Sequence, residues 1–236
     1  MFSMRKILYF FILFVVSVCP SLIRASDAPS YYIKNSIKVK DAKGRVLGEL
    51  RLMEDLRLKG RHLRNPELDE MEADGKHPQT FGEAKLRYVG ADGSLWAEEC
   101  LIKPLATLSE TPLEGQGRVF EVEVDYDAGF GQFSGPVSSF VRAEEGHWEW
   151  LKDPRHDEGK EGSGPRLSLM LNLSTTWRIQ DANNILQASR RPHLNPDDSV
   201  VDFTRFHWDG KAWQALTRSK PGYREFEEDP PLSDFP

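Results

Sequence analysis

Cysteine is nearly absent. Only Cys19 and Cys100 occur in 236 residues, and Cys19 lies in an N-terminal segment whose pattern predicts removal. A mature chain then holds Cys100 alone, which excludes an intramolecular disulfide and leaves stability to packing. Free cysteine is among the most buried residue types, so burial is the expectation for Cys100.

Positive charge is thin as well. The chain carries 31 Lys and Arg against 37 Asp and Glu, a formal net charge of −6. Loss of the first 25 residues removes Arg5, Lys6 and Arg24 and no acid, which moves the net charge to −9 over 211 residues. An acidic body without a concentrated basic stripe repels phosphate backbones, so no nucleic-acid partner is expected.

Local signatures of catalysis are missing too. There is no Gly-x-Ser-x-Gly elbow. None of the six histidines forms a His-x-His or His-x3-His pair, and none stands in a signature with Cys100. Glu98 and Glu99 beside that cysteine would raise a thiol pKa rather than lower it. The run Asp125-Tyr126-Asp127 opens like a calcium loop. It then has Gly129 where an oxygen ligand belongs and Pro136 where a bidentate Glu belongs. The glycine-rich stretch from Gly129 to Gly135 lacks the Lys-Ser/Thr ending of a phosphate cradle. No cofactor or metal site is therefore expected.

Helical periodicity is confined to one place. Asn65-Pro66-Glu67 has the order of an N-cap, a first-turn proline and an acid near the positive end of a dipole. It predicts a short helix to Ala73, stopped by Gly75, within a charged surface excursion.

What the chain does have begins at its N-terminus. Basic Arg5 and Lys6 precede an apolar stretch from Ile7 to Val18, with Ser17 its one polar residue. Pro20 and the small-residue exit at Ala25 follow. This is the order of a secretory signal peptide, so a secreted or periplasmic location after cleavage near Ala25 is expected. The membrane would then be met only in transit. An N-terminal membrane anchor is the alternative, although ~20 apolar residues are needed to span the hydrocarbon core. A lipoprotein cut before Cys19 would need a small residue where Val18 stands.

The body of the chain repeats one pattern: an alternating stretch, a charged turn ending in glycine, and another alternating stretch. It occurs around Gly44, Gly93, Gly146 and Gly210. Alternation about a turn that requires positive φ predicts a hairpin each time. Val119 to Tyr126 alternates strictly and predicts a further strand. Leu167 to Ile179 predicts one long strand or two bent ones, and Ile185 to Ser189 the next. The fold expected is all-β, with antiparallel hairpins forming a sandwich or barrel. The loose spacing of the turn glycines makes a small β-propeller-like repeat the alternative. Residues 1–25 are read as signal peptide and 26–218 as one β-rich domain. Residues 219–236 are read as a mobile, acidic, proline-rich tail. Lys152 to Pro165, charged and glycine-rich, is expected to be mobile as well.

Aromatic residues carry the functional expectation. Trp96, Trp148, Trp150, Trp208 and Trp213 sit on or beside hairpin turns, and Trp148 and Trp150, two apart, share a sheet face. Trp148, Trp150, Trp208 and Trp213, with Phe130 and Phe133 of the glycine-rich loop, are the candidate binding residues. They suit a protein or glycan partner. A binding module of the bacterial-type periplasm or extracellular space is the reading. A hydrolase of envelope or extracellular polymers, using carboxylates such as Asp92, Glu98, Glu99, Glu149 or Asp209, is the first alternative. A structural envelope component is the second.

Overall fold

Residues 30–60, 84–101, 105–114, 117–126, 135–156, 165–191, 199–222, 226 and 229–236 are described by a computed structural model. Their strands belong to one unit, Tyr31–Pro236. The predicted signal peptide, the short helix from Asn65 and the loop holding Phe130 and Phe133 lie outside the described residues.

Alternation and turn chemistry build three antiparallel sheets. The first runs in sequence order through β1 (Tyr31–Lys40), β2 (Val46–Asp55), β3 (Lys85–Gly90) and β4 (Leu95–Cys100). The second runs through β5 (Thr107–Glu110), β6 (Arg118–Tyr126), β7 (Gly135–Glu144) and β8 (His147–Trp150). A short β9 (Ser168–Met170) joins it. Along one edge of β7, Val141–Glu144 pair with β8 and Val137–Ser139 with β9. The third sheet runs through β10 (Thr175–Asp181), β11 (Asn184–Arg191), β12 (Val200–Trp208) and β13 (Trp213–Pro221).

All four predicted hairpins are present: β1–β2, β3–β4, β7–β8 and β12–β13. Their turn glycines adopt φ of +80°, +85°, +75° and +91° in chain order, a region costly for any residue with a Cβ. Turn aspartates complete the local geometry. Asp41 accepts from the backbone N–H of Lys43 and Arg45, each at 2.9 Å, and Asp209 from those of Lys211 and Ala212, each at 2.8 Å.

Strand alternation sends side chains to both faces of the second sheet, which separates two cores. Phe120, Val122, Val141 and Ala143 pack with Leu50, Leu52, Leu86 and Tyr88 of the first sheet. From the other face, Val119, Phe140 and Leu169 pack with Ile185, Phe206 and Trp213 of the third. The arrangement is a layered antiparallel β-sandwich. Each sheet contains the four-stranded meander that a propeller would need, but the three sheets stack and none closes. A third cluster, Leu186, Ala188, Val201 and Phe203, lies on the opposite face of the third sheet and is covered by Phe235 and Phe226.

Of the two readings of Leu167 to Ile179 the second holds: there are two strands, and the Asn172 side chain accepts from the Ser174 N–H at 2.8 Å to close a turn between them. Two expectations change. The acidic tail does not begin at Ser219: β13 extends to Pro221, and Phe235 returns to a buried position 5% exposed. The segment expected to be mobile from Lys152 is seated at its described start. Asp153 is 6% exposed, its N–H donates to the Pro165 carbonyl at 2.9 Å, and Lys152 bridges to Arg166.

Candidate functional site: the tryptophan hairpins

The alternation of β8 places His147 and Glu149 outward and leaves Trp148 and Trp150 half-buried on the other face. Their ring centroids are 5.5 Å apart at 58°, and both pack against the first core. Trp150 is gripped twice more. Its Nε1–H donates to Glu99 Oε2 of β4 at 2.8 Å. The Arg166 guanidinium lies 4.1 Å from its ring centroid and pairs with the same Glu99 carboxylate. Burial pulls the Arg166 pKa below its ordinary value. The result is an aromatic pair with one ring fixed by a carboxylate on its edge and a cation on its face.

The second hairpin is built differently. Trp208 is half-buried, whereas Trp213 is only 8% exposed and belongs to the core between the second and third sheets. The rings lie 6.0 Å apart at 47°. Trp213 therefore packs the core, and the exposed indole surface of this hairpin is that of Trp208. Among the described residues the Nε1–H of Trp213 has no hydrogen-bond partner.

A polar chain beside this hairpin was not singled out from the sequence. His207 of β12 pairs in register with Asn184 of β11, and His207 Nδ1 lies 3.0 Å from Asn184 Oδ1. The Asn184 amide donates to both Asp181 oxygens, at 2.8 and 3.0 Å. With the amide nitrogen committed to Asp181, Asn184 presents an acceptor, so Nδ1 of His207 carries the proton. The Asn184 side-chain bond and the Asn183 backbone N–H hold Asp181 below the usual carboxylate range. Asp181 and Asn184 are neighbours in one local turn, whereas His207 joins them only through strand register.

A second feature lies outside the predicted set. Glu54 is fully buried on β2, accepting from Tyr32 Oη and Lys34 Nζ, each at 3.3 Å. Burial and then the Glu54 charge push the Tyr32 phenol up to about 12. The hairpin pattern about Gly44 does not single out Tyr32 or Lys34.

The carboxylates considered for hydrolysis are each committed locally. Asp92 accepts from the Ser94 hydroxyl and N–H at 2.6 and 3.0 Å, Glu98 pairs with Arg87 and Lys85, and Glu149 pairs with Arg142. Asp209 caps its own turn and Glu99 holds Trp150. Ser94 holds Asp92 below its ordinary value, Arg87 does the same for Glu98, and the Ala212 and Lys211 N–H groups do so for Asp209. A general acid for glycoside cleavage requires a shift in the opposite direction.

Cys100, expected to be buried, is exposed at the end of β4. Alternation points it away from the core that takes Ala97. Among the described residues no group of three or more His, Cys, Asp or Glu could hold a metal ion. No described helix is long and apolar enough to cross a membrane. Compared with protein-family models, curated proteins and solved structures, the chain matches none. Its class rests on the fold, a layered antiparallel β-sandwich, and its function must be argued from its surfaces.

Proposed function

We propose that the chain is an exported binding module and that the β8 surface, Trp148 and Trp150, is its contact site for a protein or glycan partner. The observation that carries this reading is the state of Trp150: half-exposed, yet immobilised by Glu99 and Arg166. Ordering a side chain at an interface costs about 0.5–1.5 kcal/mol, and an indole already held in place avoids that cost on binding. Tryptophan and arginine are also the residue types that dominate interface energetics. Trp208 extends the aromatic surface available to a partner.

The test uses the chain beginning at Ser26, with oligosaccharides and cell-wall fragments as probes and Trp fluorescence and thermal shift as readouts. A ligand specific to this surface shifts the unfolding midpoint of the parent chain. It leaves Trp148→Ala unshifted while that variant still melts cooperatively. A ligand that shifts Trp148→Ala as strongly as the parent places the contact elsewhere. Export is tested separately, by expressing the full-length gene in a secretion-competent host and sequencing the mature N-terminus. A start at Ser26 supports the signal peptide, and a retained Met1 in the membrane fraction supports the anchor instead.

A further inference from the structure

The face of the third sheet turned away from the second core combines basic side chains with an apolar strip. Strand alternation puts Arg178 of β10, Arg190 of β11, Arg205 of β12, and Arg218 and Lys220 of β13 on that face. Between them lie the buried apolar side chains Leu186, Ala188, Val201 and Phe203. In a chain of net charge −6 this is a basic frame around an apolar strip.

The C-terminal segment fills it with complementary chemistry. Phe235 meets Phe203 edge to face, centroids 5.5 Å apart at 86°. Asp234 pairs with Lys220 at 2.6 Å and Asp229 with Arg178 at 3.0 Å. Arg178 also donates to the Pro230 carbonyl at 3.1 Å, and Arg218 to that of Ser233 at 3.5 Å. Asp229 and Pro230 line a small cleft with Thr176, Trp177 and Leu186. Pro230 and Pro231 keep the segment extended, and among its described residues only a single turn, Leu232–Asp234, is helical. It adds no strand to the sheet. It is held through side chains and carbonyls, as a bound peptide is held.

We propose that this face is a peptide-recognition groove, and that residues 229–236 are its exchangeable occupant, a strap held in cis. The partner class is an extended acidic segment of the form Asp-Pro-Pro-x-x-Asp-Phe, which displaces the strap when presented in trans. The proposal is independent of the β8 tryptophan surface. Six residues separate Gly222 from Asp229, and so short a tether gives the strap an effective concentration on the order of mM. A competing peptide is therefore disfavoured until the strap is weakened.

The test is fluorescence anisotropy with a labelled synthetic peptide of residues 226–236. It uses the chain from Ser26 and its Phe235→Ala variant. Weakening the strap should tighten peptide binding by at least tenfold over the parent. Adding Lys220→Glu to Phe235→Ala should remove the gain, and raising salt should weaken binding. A cooperatively folded Phe235→Ala chain that takes up no peptide overturns the proposal, because the segment is then fixed core. Should that variant fail to fold, amide exchange on the parent chain decides. Protection at Leu232–Phe235 well below that of β12 supports a detachable strap. Protection equal to that of β12 overturns it.

Discussion

Gly48 and Gly90 stand opposite each other in the β2–β3 pairing, and the indole of Trp96 lies across them. A Cβ on Gly90 would come within 2.6 Å of Trp96 Cε2 and Cζ2, and one on Gly48 within 2.5 Å of the Val89 carbonyl oxygen. Gly90→Ala should therefore lift Trp96 off its seat and lose its edge contact with Tyr88, centroids 4.9 Å apart. The expected cost is about 1–3 kcal/mol, the range for overpacking. It is read as a lower urea midpoint at unchanged m, and an unchanged midpoint would place Trp96 elsewhere. Cys100 gives a simpler check. Its exposure predicts that one thiol in the chain from Ser26 reacts with a disulfide reagent without denaturant, and a thiol that reacts only after unfolding would return it to the core. The sequence offered no sign of either arrangement. The partners of Trp96 come from strand register, and a lone cysteine with two acidic neighbours looks the same whether it points in or out.

Hairpins were the legible elements because their determinants are local. Glycine at positive φ and aspartate accepting from backbone N–H groups two to four residues further on are both written within five residues. Gly210 is the cleanest test: with φ +91° and no described atom within 4 Å of its missing Cβ, Gly210→Ala changes backbone strain alone. A loss of roughly 1–2 kcal/mol is expected, the left-handed penalty. Gly210→Asn should recover part of it, since Asn tolerates that region, and equal stability of all three would mean the turn relaxes freely. Pairings without a tight turn were not legible. β5 finds β6 across Thr107–Glu110, and β9 shares an edge of β7 with β8, neither of which local sequence announces. The β8 tryptophans were readable as a pair on one face. Their fixation by Glu99 and Arg166 was not, since 51 residues separate Glu99 from Trp150 and 67 separate it from Arg166.

At the scale of the molecule the layers are joined by buried polar links as well as by apolar packing, and one of them predicts acid behaviour. Asp153, just beyond β8, accepts from the Arg155 N–H at 3.0 Å and from its guanidinium at 2.6 Å. Arg155 also donates to Gln187 Oε1 of β11 at 2.9 Å and lies 5.1 Å from the centroid of Phe206. This ties the loop after the second sheet to the inner face of the third. Charge and low apolar content predict a mobile segment here, but its described start is seated, because pairing with Arg155 allows the Asp153 carboxylate to be buried. Burial pushes the Asp153 carboxyl up, but the hydrogen bonds and charge of Arg155 outweigh it and hold the pKa below its ordinary value of 3.8. The sign follows from linkage. A depressed carboxylate contributes stability that is complete above the unfolded value and is lost as pH falls through the lower folded one. Removing one member of a buried ion pair costs about 3–5 kcal/mol. Arg155 keeps 36% of its side chain in water, so for Asp153→Asn a cost of about 2–3 kcal/mol at pH 7 is expected, scaled down for screening. Denaturant unfolding of both chains at neutral pH, near pH 4 and below 3.8 tests the assignment. The gap between parent and variant should hold to about pH 4 and shrink below it, because the parent then loses a charge that the variant never had. A gap that stays constant into acid would mean that the aspartate contributes shape and hydrogen bonds but no charge, and the link between these two layers would rest on Arg155, Gln187 and Phe206 alone.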